Sequence, residues 1–291
     1  MTLLSNVQDV CLELGLPSPV AVATSTDNTN KQLLALMNRV GDMLYTEEDW
    51  QVLAKEHRFQ TVYYQYTGDT TAGSATISNL SSVVGLSTDF MCSGTGIPTD
   101  NAITSVGASS VVLNVPATET ATGSTFTFGR VKYAMPADFG RIVNNTSYQD
   151  LWVVTGPRSP QEWQAIKTGE GGTFMSFRIL GDKFAVWPMP TSAVSVGFEY
   201  VSKYWAVSAA GAAKEKYTAD DDTSVYPSNL LILGTKLKFF EVKGFDTATL
   251  LSDFVREVSK YKGSNAGAQK LNMGKKEFYP TPSVPDTGYG A

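Results

Sequence analysis

Hydrophobic side chains recur at helical spacing near both ends of the chain. Four segments show an apolar residue every three to four positions, with polar residues between them: 3–14, 29–45, 228–243 and 247–262. Asp27 or Thr29 fits the N-cap of the second segment, and Gly263 fits the position after the fourth. The pattern therefore predicts four helices, and the short connection between the last two predicts an antiparallel helical hairpin.

The period changes from helical spacing to alternation at His57. From 57 to 205, short β-prone stretches alternate apolar and polar residues, most clearly in 193–204. Gly181-Asp182 separates two such stretches and fits a two-residue hairpin turn. The middle of the chain is therefore predicted to be an antiparallel β region.

One stretch of this β region differs in composition from the rest of the chain. Residues 67–129 contain no Lys or Arg and four acidic residues, and Thr, Ser, Gly, Ala and Val dominate them. Short apolar runs between Gly and Asn turns predict a small β-sandwich-like module. Such a module is tolerated where the host chain enters and leaves it at close surface points.

These elements predict an α+β fold: a helical bundle from both chain ends plus a central antiparallel β region, with an inserted small all-β module. The body would be discontinuous, formed by 1–66 and 130–263. Residues 264–291 have no apolar period and several Gly and Pro residues, so they are predicted to form an extended C-terminal tail.

Composition and charge exclude several classes of protein. The chain has 291 residues, 42% of them hydrophobic, and a net charge of −5, which argues against a polycationic nucleic-acid binder. The chain contains no run of 18 apolar residues, so no membrane-spanning helix is predicted. Cys11 and Cys92 are too few for a disulfide framework. The first residues lack a charged n-region, so we expect a soluble intracellular protein without a signal peptide.

Candidate chemistry is sparse. His57 is the single histidine, and no catalytic partner is recognisable for it. Asp220-Asp221-Asp222 could bind a cation, but adjacent carboxylates without a glycine-spaced loop favour a solvated turn. We therefore predict no catalytic, cofactor-binding or metal-binding residues. Trp163 and Trp205 lie in polar or turn-rich surroundings and are candidate interface anchors.

Several short motifs, in order along the chain, resemble the head-to-tail adaptor proteins of short-tailed bacteriophages, also called head-completion or tail accessory proteins. The motifs are Asn30–Asn38, Asp49–Leu53, Tyr133–Arg141, Gly156-Pro157, Ser159–Trp163, Phe198–Lys203 and the helix pair Ser228–Lys262. Together they cover most of the chain outside 67–129 and the tail.

This resemblance implies a structural virion protein with no enzymatic activity and no cofactor. Adaptors of this family form a ring, here expected to be a homo-dodecamer, that lies beneath the portal protein and extends the DNA channel. The implied partners are other copies of this chain, the portal protein, the tail nozzle protein and, as a further candidate, a tail fibre, with DNA passing transiently and no membrane. The implied location is the phage head–tail junction, after synthesis in the bacterial cytoplasm.

The C-terminal part of the chain is the predicted partner-binding segment. From Leu230 to Lys276 there are nine basic and four acidic residues, although the whole chain is negative. Basic and aromatic side chains on a tail would suit an acidic partner surface with aromatic anchors, and we hypothesise that the tail binds the portal. The candidate residues are Lys260, Lys262, Lys270, Lys275, Lys276, Phe278 and Tyr279.

Two other functional classes remain open on the sequence. The chain could be a β-rich surface-binding or capsid decoration protein, an adhesin-like role in which 67–129 binds carbohydrate or capsid. A hydrolase whose site has no recognisable motif is a further alternative.

Overall fold

A computed structural model describes residues 1–168 and 174–265. Within these residues the chain forms five helices, a short 3-10 turn at Gln51–Leu53 and seventeen strands. The helices are α1 (Leu3–Leu14), α2 (Asn28–Glu47), α3 (Pro160–Thr168), α4 (Ser228–Lys243) and α5 (Ala248–Asn265). The strands are β1 (Ala54–Gln60), β2 (Tyr63–Thr70), β3 (Thr76–Ile77), β4 (Phe90–Ser93), β5 (Asn101–Val106), β6 (Val111–Leu113), β7 (Ala121–Arg130), β8 (Lys132–Ala134), β9 (Phe139–Ile142), β10 (Tyr148–Gln149), β11 (Trp152–Val153), β12 (Ser176–Leu180), β13 (Lys183–Trp187), β14 (Ser195–Ser202), β15 (Ala206–Val207), β16 (Ala213–Lys214) and β17 (Thr223–Ser224).

The predicted fold class is wrong, because the protein is a β-rich α+β fold and not a helical bundle. Two of the three hydrophobic cores are built largely from strands and their connections. The third core, between the helices, also contains Trp205, Tyr217 and Tyr226 from non-helical segments. The helices therefore bury their apolar faces partly against β structure and loops, which the periodicity within each helix does not specify.

The helices begin and end where local chemistry stops them. Asp27 caps α2 by accepting a hydrogen bond from the backbone N–H of Thr29 at 3.0 Å. Gly15 and Gly244 end α1 and α4 in the left-handed conformation, which glycine adopts without a steric penalty. Helix α4 packs against α1, α2 and α5 and is the central helix of this layer.

The described strands outside the inserted module form three antiparallel sheets. β14 is the central strand of a five-stranded antiparallel sheet, with β1 on one side and β9 and β10 on the other. A second sheet has the order β12-β13-β8, and a third has the order β16-β15-β17. Stacked rings of Phe177, Phe184 and Phe198 join the first two sheets into one core.

The inserted strands form one nearly closed, barrel-like sheet where the composition predicted a sandwich. The strand order is β2-β7-β4-β5-β6-β3, and a bridge between Asp69 and Ser78 connects the two end strands. Two rings, those of Phe126 and Phe128, are fully buried in its core. This bridge joins the first and last strands of the order and nearly closes the sheet. Amino-acid composition does not specify which strands pair, so it does not distinguish a barrel from a sandwich.

The barrel is attached to the body where its first and last strands meet. The backbone N–H of Arg130 donates to the carbonyl of Val62 at 2.8 Å, so the chain leaves and re-enters the body at adjacent points. Asp89 of the barrel pairs with Lys183 of β13 at 2.5 Å, and Met91 of β4 packs into the body core. The division of the chain into a body of 1–66 and 130–263 and a module of 67–129 stays a prediction.

Candidate interaction surfaces

A tight hairpin exposes apolar side chains at one edge of the body. Strands β10 and β11 are joined by Asp150 and Leu151, and Asp150 adopts a positive φ of 49°. The side chains of Leu151 and Trp152 are 84% and 61% exposed, and Phe174 packs against Trp152 with ring centroids 5.4 Å apart. We call Leu151, Trp152 and Phe174 the hairpin knob. Exposed clusters of large apolar residues mark interaction sites.

A second apolar surface lies between α2, α4 and α5. It is a groove of about 200 Å³, which we call the helical groove. Its apolar lining consists of Met43, Leu44, Leu237, Leu251, Phe254, Val255 and Val258. Leu44 and Val258 are buried at its base, whereas Leu251 and Val255 are exposed. The last two are four residues apart and share one face of α5.

Ion pairs line the rim of the helical groove. Lys238 donates to Glu241 within α4 at 2.8 Å. Lys262 of α5 donates to Glu48 at 2.8 Å and to Glu47 at 3.2 Å, and these hydrogen bonds raise the pKa of the Lys262 ammonium. An apolar floor with a polar rim is the usual organisation of a protein–protein contact.

An acidic cleft of about 510 Å³ opens on the five-stranded sheet beside β10. Glu56 and Glu199 are direct partners across β1 and β14, and like charges in this position destabilise a sheet. Arg58 pairs with Glu56, while Asp150 adds a third carboxylate to the cleft. The cleft and the hairpin knob thus share the turn at Asp150.

No metal centre accompanies these surfaces in residues 1–168 and 174–265, where no group of three His, Cys, Asp or Glu side chains is placed to hold an ion. His57 lies on β1 among aromatic rings, 5.5 Å from Phe198 and 6.1 Å from Phe59. Burial lowers its pKa, and the charge of Asp138 opposes that shift. The ring therefore belongs to the apolar packing of the sheet.

The Asp220–Asp222 triplet forms a turn, as its sequence favours, with Asp221 exposed, but Asp222 is buried and Asp220 is half-buried. The side chain of Asp222 is 1% exposed and accepts hydrogen bonds from Lys214 Nζ at 2.7 Å and from the backbone N–H of Thr218 at 2.7 Å. Burial alone would raise its pKa, but these hydrogen bonds outweigh burial and hold the pKa below its ordinary value. Asp220 accepts from the backbone N–H groups of Val22 and Ala23. Asp222 therefore holds its own loop in shape, whereas Asp220 connects this loop to the segment between α1 and α2.

The two tryptophans predicted to anchor an interface are core residues. Trp163 lies on α3, a helix that the sequence analysis did not predict, and it is 4% exposed. Trp205 is fully buried between Tyr217 and Tyr226, and its Nε1 donates to Asp42 at 3.0 Å. Neither ring offers a surface to a partner, so this interpretation is wrong.

The predicted basic residues divide between α5 and the segment beyond it. Lys260 is exposed and lies 3.7 Å from Glu257, whereas Lys262 is engaged by the two glutamates at the end of α2. The remaining tail candidates lie outside the described residues: Lys270, Lys275, Lys276, Phe278 and Tyr279. No helix within the described ranges is long and apolar enough to cross a membrane.

The sequence analysis did not identify the hairpin knob, the outer face of α5 or the acidic cleft. The available signal was the Asp-Leu-Trp run at 150–152, which places two large apolar residues directly after a turn residue. Comparison with known proteins adds no assignment: no protein-family model and no curated protein matches this chain. A functional proposal therefore depends on the surfaces described above and on the colinear motifs.

Proposed function

We propose that this chain is a structural virion protein: a ring-forming adaptor that joins the portal to the tail nozzle at the head–tail junction and extends the DNA channel. The observation that favours it most is the presence of two different exposed apolar surfaces, the hairpin knob and the helical groove. A ring of identical subunits needs two different patches on each copy, because its contacts are heterologous.

The positions of the resembling motifs support the same proposal. Arg141, which ends one motif, donates to Asp49 of another at 2.8 Å and to the carbonyl of Tyr45 on α2. Asp138 of the same motif accepts hydrogen bonds from Tyr200 and Ser202 of a third, each at 2.8 Å. Motifs that are far apart in sequence thus form one hydrogen-bonded region of the body.

Charge is consistent with a channel that releases DNA. The chain carries a net charge of −5, so a ring of many copies would not grip phosphates across its whole surface. Basic residues are concentrated on α4 and α5, where bases outnumber acids, and this local excess suits an acidic protein partner.

Native mass spectrometry and negative-stain microscopy test the proposal directly. The purified chain, alone and mixed with the portal ring of the same virus, is expected to form a closed ring of identical subunits, which we expect to be dodecameric. A chain that remains monomeric in both samples at micromolar concentration would contradict the proposed role.

The acidic cleft favours one alternative, a β-rich surface-binding protein. Carboxylates and the Tyr148 ring line this open cleft, and such a combination of hydrogen-bonding groups and an aromatic ring is suited to carbohydrate. Binding of the intact chain to a glycan array, lost in Glu199→Gln and retained in Val20→Ala at an exposed site away from the cleft and the barrel, would favour this function. Ring formation without glycan binding would favour the adaptor.

A further inference from the structure

We propose that the hairpin knob of one copy of this chain binds in the helical groove of the next copy. This inference rests on the proposed ring and specifies the contact between its subunits. Both surfaces are exposed in the same chain, so the knob does not fill the groove of its own subunit. A second copy of the chain carries the same knob and can therefore supply the side chains that fill the groove.

The two surfaces match in apolar character. The knob presents Leu151 and Trp152 at the tip of a hairpin, where they are the most exposed large side chains of the sheet edge. The groove has buried leucine and valine at its base and exposed Leu251 and Val255 on its wall. An aromatic anchor entering an apolar pocket with a polar rim is the usual centre of a strong protein contact.

Charge allows one further contact between the two surfaces. Exposed carboxylates of Glu56, Asp150 and Glu199 lie beside the knob, with Arg58 as the cation among them. The lining of the groove balances Lys238 and Lys262 against Glu47 and Glu241. Arg256 follows Val255 in α5; it is exposed and pairs with Asp253 of the same helix at 2.8 Å. An exposed intrahelical pair of this kind is weak, so Arg256 is available to a carboxylate on another copy.

The geometry of the contact also decides its symmetry. Because the knob and the groove are different patches, the contact is heterologous, and each copy can offer a knob to one neighbour and a groove to the other. A symmetric dimer would instead place a patch against its own equivalent. The proposal therefore predicts contact between position 151 of one chain and position 255 of another, with no 151–151 or 255–255 contact.

Cysteine crosslinking of the full chain tests this arrangement. Leu151→Cys and Val255→Cys are made singly and together, and a short bis-maleimide is added under native conditions. The natural thiols Cys11 and Cys92 are both buried, so they contribute little background. Val84→Cys, at an exposed site on the barrel, combined with Val255→Cys is the matched control.

The double variant is expected to give a ladder of covalent oligomers whose largest band counts the subunits of the ring, while either single variant gives none. Adducts from a single variant would indicate a symmetric contact and overturn the proposal. A crosslink confined to one chain, or an equal ladder from the Val84→Cys control, would also overturn it.

A second measurement separates this inference from the proposed function. Trp152→Ala removes an exposed side chain and should leave the fold intact, yet it should weaken association about tenfold or more if Trp152 is an anchor. Val84→Ala should leave association unchanged. Rings that form normally in Trp152→Ala, with no 151–255 ladder, would overturn the contact and leave the ring standing. The absence of any ring in the unmodified chain would overturn both.

Discussion

Replacing Gly41 with alanine should destabilise the protein because there is no room for a methyl group at that position. Gly41 lies on the buried face of α2, and a Cβ added there would overlap the six-membered ring of Trp205, within 2.5 Å of Cη2. The indole has little freedom to move away. It is fully buried, its ring lies 5.0 Å from Tyr217, and its Nε1 donates to Asp42.

Two opposing effects set the size of the change. Overpacking a filled core costs about 1–3 kcal/mol, whereas replacing a helical glycine with alanine gains up to about 1 kcal/mol in helix propensity. The overlap in Gly41→Ala is with ring carbons in a closed site, so we expect a net loss of about 1–2 kcal/mol. Gly263 on α5 is the matched control, since a Cβ there meets nothing within 4 Å. Gly263→Ala should be neutral or slightly stabilising.

Urea unfolding followed by circular dichroism measures the difference. The urea concentration at the midpoint of unfolding should be lower for Gly41→Ala than for the unmodified chain and should not fall for Gly263→Ala. The slope m, which relates the free energy of unfolding to urea concentration, should be unchanged in both. In a Trp205→Phe background, which removes the larger ring, Gly41→Ala should cost less, and this coupling identifies the indole as the cause. A Gly41→Ala midpoint at or above that of the unmodified chain would refute the packing argument.

Further predictions concern charge, thiols, the barrel and DNA. Asp222→Asn should lower the free energy of unfolding by about 2–4 kcal/mol because it leaves Lys214 without its carboxylate. Because the pKa of Asp222 is depressed in the folded state, its contribution to stability is fully present above the ordinary pKa of about 4. That contribution should shrink in acid-titrated unfolding as the pH falls below this value. Burial raises the pKa of Cys92 to about 12 and also raises that of Cys11. A thiol reagent should therefore label each cysteine only when the structure around it opens, and different labelling rates would indicate that the barrel and the body open separately. Replacing 63–129 by a short Gly-Ser linker should leave the body folded but destabilised by about 2–5 kcal/mol, because Met91 leaves the body core; aggregation with loss of helical signal would contradict a separable barrel. Filter binding at physiological salt should detect no tight DNA complex, and a steep salt-dependent affinity would argue against a releasing channel.

Local elements of the fold could be predicted from the sequence because their signals are local. The end of α5 is an exception, because Gly263 was predicted to follow this helix and lies inside it. The cap at Asp27 and the turn at Gly181-Asp182 act within a few residues of themselves. Their effects do not depend on what the element packs against. The periodicity of 193–204 likewise identified the central strand β14.

The wider architecture could not be predicted because it depends on what each apolar face meets. Helix α4 was predicted to bury a single stripe, yet Leu231, Ile232 and Phe239 are buried too, because three other helices surround it. Similarly, turn-rich surroundings predicted exposure of Trp205, although its ring is covered by Tyr217, Tyr226 and the Gly41–Asp42 part of α2.

The candidate surfaces were missed for a related reason. Leu151 and Val255 are ordinary apolar residues in sequence, and their exposure depends on the tertiary arrangement that leaves them outside. Conversely, Asp222 is polar in sequence but buried, since Lys214 and backbone N–H groups compensate its charge. A reader of the sequence alone sees residue type, whereas function at an interface depends on which residues remain uncovered.

The hydrogen bond between Val62 and Arg130 has a consequence for the order in which the chain folds. The barrel strands are contiguous in sequence, so they can pair before the C-terminal half has left the ribosome. Strand β1 must wait for β14, its partner across about 130 intervening residues, and closing a loop costs entropy that grows by about 0.6 kcal/mol per doubling of length. Once the barrel has closed, Val62 and Arg130 are neighbours and the effective loop is about half as long. By closing first, the inserted module shortens the loop between β1 and β14 and so lowers the entropic barrier to completing the body.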